Sequence, residues 1–193
     1  IIDVAAMDIG ARLIVWDGHG VIIRLEEAGR RIGKEVGLDL TLGRRIETGE
    51  LSTMADYMAD RLVEAISLTA LTVETQGFMR TAPLTHAGQV HALLFSGGVS
   101  EFIYDRQDSH FGDLGPLLAE KLKIRIAKTG IEVLKPTVGI RATVIGASQY
   151  VVQVSGSTIF LSPLEVVPIR NIPVVTPDFF LGEEEIDPVH VRE

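Results

Sequence analysis

Ser96, Gly97, Gly98, Val99 and Ser100 close the apolar run LLF at 93–95 and open a segment of mixed apolar and polar residues. A strand ending in two residues without side chains leaves its backbone bare where open α/β sheets bind ligands, beyond the carboxyl ends of the strands. A purine or a ribose could lie flat against that backbone, with the hydroxyl of Ser96 or Ser100 adding a hydrogen bond. The plainer reading is a strand-to-helix turn that needs positive φ, and the five residues alone favour it. A second such place is MDIGAR at 7–12. There Asp8 could cap a helix or aim at a ligand, and Gly10 would allow close approach to the backbone, with Ala11 beside it. On its own this turn also reads more simply as structure.

Other chemistry is thinly represented. The histidines at 19, 86, 91, 110 and 190 lack metal-ligand spacing, so no metal site is expected. The 193 residues contain no Walker-type phosphate loop and no G-x-S-x-G elbow, and no catalytic residue is assigned. The chain has no cysteine, which excludes disulfides and cysteine zinc sites. A formal charge of −8 argues against a broad nucleic-acid footprint. No apolar run has the length that suggests a membrane span. With 46% hydrophobic residues the chain can bury a sizeable core. IIDVAAM reads as a strand from its first residue, so a piece of something longer is expected.

The elements that must position these turns follow from periodicity. Residues 1–7 predict a strand. LIVWD, the turn GHG at 18–20 and VIIRL predict a hairpin. Residues 26–37 have helical spacing through Ala28, Ile32 and Val36, and Gly37 suits a helix stop. Residues 38–49 predict extended chain and then a turn. A helix is predicted from about Leu51 to Ser67, capped by Ser52 or Thr53, with Met54, Met58 and Leu62 on one face. VHALLFS at 90–96 predicts a central strand covered on both faces. A further helix is predicted from near Leu114 to Lys128, stopped by Gly130. The small-residue stretch 136–157 is compatible with helix or strand, and the residues beyond it read as extended. Alternation of strands and helices gives an α/β fold. Residues 25–85 are expected to form a mostly helical insertion subdomain on one edge of the sheet, and 1–24 with 86–193 the core.

The order of the pieces carries a resemblance. AAMDIGAR, a helical insertion, LLFSGGVSEF, a helix, and then GIRATVIGASQ resemble the second half of the actin-like ATPase superfamily. Within it, DIGARLI, FSGGVSEFIYD, FGDLGPLLAEKL and IRATVIGASQYVVQVSGSTIFLSP are similar to the family of ethanolamine ammonia-lyase reactivating factors. The resemblance covers most of the chain and is weakest after about Val175. It implies a ribonuclease H-like second domain with a mixed sheet, truncated at its N-terminus, whose two glycine turns meet the nucleoside of ATP. Its implied nucleotide contacts are Gly10, Ala11, Ser96, Gly97, Gly98, Val99 and Ser100, converging on one cleft. Glu50 and Arg61 lie in the insertion that would cover the adenine side. It also implies ATP and Mg²⁺ as cofactors of the full-length protein and ethanolamine ammonia-lyase as partner. The implied role is chaperone-like: release of damaged adenosylcobalamin from that lyase, in the cytoplasm, with room for association with a bacterial microcompartment. Cobalamin is not expected on this chain itself.

Two departures stand out. Ala11 replaces a glycine common in the family, and the family's glycine-rich phosphate loop should lie just upstream of Ile1. This chain alone is therefore expected to bind the nucleotide weakly or not at all, and not to hydrolyse ATP. The competing readings are a small-molecule kinase of the same superfamily and a non-catalytic interaction module of the same fold.

Overall fold

A computed structural model describes residues 3–86 and 88–136. The chain divides into two compact units, 1–150 and 151–193, and every described residue lies in the first. The expectations for 137–193, including GIRATVIGASQ and the extended tail, fall outside the described residues.

The first ordered feature is a 3-10 turn at Ala11–Leu13, followed by β1 at Ile14–Trp16 and β2 at Ile22–Leu25. The hairpin forms as its sequence dictates. Gly20 takes φ +77, which a side chain would resist. The Asp17 carboxylate accepts the backbone N–H groups of His19 at 2.8 Å and Val21 at 2.9 Å. These donors, Val21 first, hold its pKa below the ordinary carboxylate value.

Helix α1 spans Glu27–Glu35, α2 Thr48–Ile66 and α3 Val73–Gln76. Helix α1 buries Ala28 and Ile32, and Gly37 beyond its end takes φ +78. Helix α2 starts earlier than expected. Neither Ser52 nor Thr53 caps it. Glu47 precedes its first turn and Glu50 reaches back in a capping box, so two carboxylates do what a hydroxyl was expected to do. Glu50 also takes a bidentate pair from Arg44, which lowers its pKa. At the other end, Glu64 accepts from the Thr75 hydroxyl at 2.6 Å, from the backbone N–H and hydroxyl of Thr72, and pairs with Arg61. Burial alone would push Glu64 up, but these partners outweigh it and hold it low.

Then come β3 at Ala92–Leu94, α4 at Gly98–Ile103, α5 at Gly115–Thr129 and β4 at Glu132–Leu134. Gly130 ends α5 with φ +70, as its position after a basic last turn predicts. The core is shared. Leu51, Met54 and Met58 of α2, Leu118, Leu122 and Ile126 of α5, and Ile14, Ile22 and Ile32 form one buried cluster. Each such side chain contributes about 1.5–3 kcal/mol on leaving water. Arg125 of α5 bridges Asp60 at 2.6 Å and Asp56 at 3.0 Å of α2. Helices α1 and α2 thus share a core with α5.

Three strand expectations are corrected. Residues 3–7 form no strand; their one sheet-like pairing is the bridge Met7–Met79. The run 90–96 gives only three strand residues, and Leu94 is 57% exposed, so β3 is not a covered central strand among the described residues. Apolarity without alternation had suggested two buried faces, but the Leu94 face is open, and among the described residues β3 pairs only with the parallel β4. Finally, the described strands make two separate pairs, antiparallel β1–β2 and parallel β3–β4. The two glycine turns therefore adjoin different sheets.

Candidate functional site

The strand–glycine–helix unit is built as a tight corner. Gly97 takes φ +89, and its carbonyl accepts the Ser100 N–H at 3.1 Å and the Ser100 hydroxyl at 2.6 Å. Ser100 is buried and its hydroxyl is spent on this turn. Tyr104, one turn further, accepts the Phe95 N–H at 2.9 Å and donates to the Leu134 carbonyl at 2.7 Å. Helix α4 is thereby pinned to both β3 and β4.

Beside this corner lies a groove of about 510 Å³. One wall is Ala11 and Arg12. A second is Gly98, Val99, Glu101 and Phe102 of α4. The third is Gln107, Phe111, Asp113 and Gly115, from the loop before α5 and its first residue. Two walls are tied by backbone: the Leu114 N–H donates to the Ala11 carbonyl at 3.1 Å, and the Trp16 N–H to the Gly112 carbonyl at 2.8 Å. The Asp113 carboxylate accepts the Gly115 N–H at 2.8 Å. Among the described residues, a Cβ built on Gly98 would meet no atom within 4 Å. The absent side chain there is not required by the protein's own packing.

Of the residues singled out from the sequence, Ala11, Gly98 and Val99 line this one groove. Gly97 sits behind it as the turn residue, Ser96 is exposed outside it, and Ser100 faces the Gly97 carbonyl. Gly10 lines a separate depression with Asp8, Arg24, Glu27 and Arg80, to which Arg12 also belongs. Asp8 is paired with Arg80. Glu50 is engaged with Arg44, and Arg61 with Glu64 and the Tyr57 ring. Sequence reasoning missed Arg12, Phe102, Gln107, Phe111 and Asp113. The signal available was FGDLGP: a glycine between an aromatic and an acidic residue, just before a helix with Pro116 in its first turn. Among the described residues no group of three or more His, Asp or Glu side chains is arranged to hold a metal ion. No described helix is long and apolar enough to cross a membrane.

The arrangement defines a protein with an open groove between two backbone turns, one of them a strand-to-helix glycine corner. It can hold a flat organic ligand; no nucleophile–base pair lines it. Residues 1–189 match the family described as Ethanolamine utilisation protein EutA, and the chain belongs to that family. It is 35% identical over 176 residues to the ethanolamine ammonia-lyase reactivase EutA of Salmonella typhimurium. It is 34% identical over 176 residues to the protein of the same name from Escherichia coli K12. Each match covers 90% of this chain and 37% of the relative, so the chain spans little more than a third of these relatives' length. No solved structure matches it.

Proposed function

We propose that this chain is the nucleoside-facing part of an ATP-dependent reactivating factor with an actin-like second domain, acting on ethanolamine ammonia-lyase. The single observation behind the site is Gly98, whose bare backbone lines a groove that no described side chain fills. The nucleoside of ATP lies there, between the Ala11 turn and the start of α4. Mg²⁺ accompanies the phosphates, and no residue described here is assigned to it. The family and the names of the two relatives support the lyase as partner.

The work done on the lyase is a population shift. A lyase closed on damaged adenosylcobalamin opens only if one nucleotide state of the factor binds the open form better than the closed one. Such a factor acts where its lyase is, in the cytoplasm or a bacterial microcompartment.

The experiment is calorimetric titration of adenosine and Mg-ATP into full-length wild type and full-length Gly98→Val. Wild type should bind. The variant should lose affinity while keeping its melting temperature, because valine enters the groove and not the protein interior. Unchanged affinity would remove the nucleoside from this groove. Revival of cobalamin-inactivated lyase by full-length protein, with ATP turnover and no phosphorylated acceptor, separates the reactivase from a kinase of the same superfamily.

A further inference from the structure

Phe111 is 59% exposed yet belongs to a segment that is held tightly. The next residue, Gly112, takes φ +66, and a Cβ on it would lie 2.2 Å from the Trp16 carbonyl oxygen. Its own carbonyl accepts the Trp16 N–H, Asp113 bridges Val15, and the Leu114 N–H reaches Ala11. The Phe111 ring meets the Phe102 ring edge-on, with centroids 6.4 Å apart and planes at 70°. A scattered exposed phenylalanine needs no explanation. This one is braced by a second aromatic, adjoins the hydrogen-bonded 112–114 segment, and lines the same groove as Gly98.

We propose that Phe111 is the platform on which the ligand's heteroaromatic base stacks, and that Gln107 reads the edge of that base. The assignment rests on the nucleoside reading of the groove and deepens it. A base is flat and polarisable, and an aromatic ring held in place stacks on it without losing freedom on binding. Gly98, on the α4 wall of the same groove, adds no side chain to the space. Gln107 carries a donor and an acceptor on one planar amide, which complements the paired donor and acceptor of a base edge. The larger face of a purine gains more from stacking on the Phe111 ring than a pyrimidine does.

The test is equilibrium binding of adenosine, guanosine and cytidine to the full-length protein and to five variants of it. Phe111→Ala and Phe111→Leu should each weaken adenosine binding by about 5- to 150-fold, the span measured for loss of one stacked ring. Phe111→Trp should bind at least as tightly as wild type. Leucine preserves apolarity and tryptophan preserves stacking, so this pair decides the matter even if the alanine variant folds poorly. Gln107→Leu should compress the ratio of adenosine to guanosine affinity, and an unchanged ratio removes Gln107 from the base edge. If Gly98→Val loses adenosine while Phe111→Leu and Phe111→Trp both bind like wild type, the platform is overturned and the nucleoside groove stands. If wild type binds no nucleoside, or Gly98→Val binds it normally, the groove reading fails and the platform with it.

Discussion

Gly98 lines the groove, Gly112 sits between two residues that line it, Phe111 and Asp113, and the two are glycine for opposite reasons. At Gly112 the protein itself forbids a side chain: the Trp16 carbonyl occupies the place a Cβ would take, and the backbone is left-handed. At Gly98 no described atom occupies that place, and its helical backbone does not call for glycine. One glycine serves the fold, and the other leaves space that the fold does not use. The difference separates architecture from function more sharply than glycine content does.

The largest expected effect is therefore on the Gly112 side. Gly112→Ala must adopt positive φ and displace backbone, at a cost on the order of 3 kcal/mol, which corresponds to roughly 10 °C in melting temperature for a chain of this size. Thermal denaturation checks this, and an unchanged melting temperature would end the contrast. Gly98→Val comes next in size and in kind, since it should change ligand affinity and leave the melting temperature alone.

Arg12 sharpens the comparison further. It is exposed at the junction of the groove with the Asp8–Arg80 depression. Arg12→Ala should weaken a phosphorylated nucleotide several-fold and leave adenosine unchanged, with the effect shrinking as salt is raised. Equal losses for both ligands would mean that Arg12 shapes the wall and does not meet phosphate.

The smallest effect is on acid stability, far from the groove. Asp17, Glu50 and Glu64 all have folded pKa values below their ordinary ones. A depressed pKa stabilises the fold above the unfolded value, about 3.9 for Asp and 4.3 for Glu. That stability is lost as pH falls through the folded value. Denaturant midpoints measured from pH 6 downward should fall below about pH 4.3. Glu50→Gln should flatten that decline slightly, because the group that titrates against Arg44 and the α2 cap is gone. A decline of the same steepness would exclude Glu50 as a contributor.

Local chemistry made part of this molecule legible in advance. The β1–β2 turn, the stop of α1 at Gly37, the stop of α5 at Gly130 and the Gly97 corner each depend on backbone geometry that neighbouring residues announce. The start of α2 was misread because its cap is a pair of glutamates, which elsewhere in a sequence mark solvated surface. β3 was misread because an apolar run does not say how many neighbours it will have. The third wall of the groove was invisible for a similar reason. Phe111 acquires its place only through bonds between the 112–114 segment and residues 11–16, which no local pattern encodes.

The bond from Leu114 to Ala11 also sets an order of events. The hairpin and the isolated helices need only nearby contacts and can form early, whereas the groove exists only after the chain has closed a loop from position 11 to position 114. Non-local closures of this kind come late and slow folding. A ligand in the groove would therefore meet only chains that have finished folding. It should slow unfolding more than it speeds folding, and the Trp16 and Leu114 amides should become protected from hydrogen exchange together when it binds.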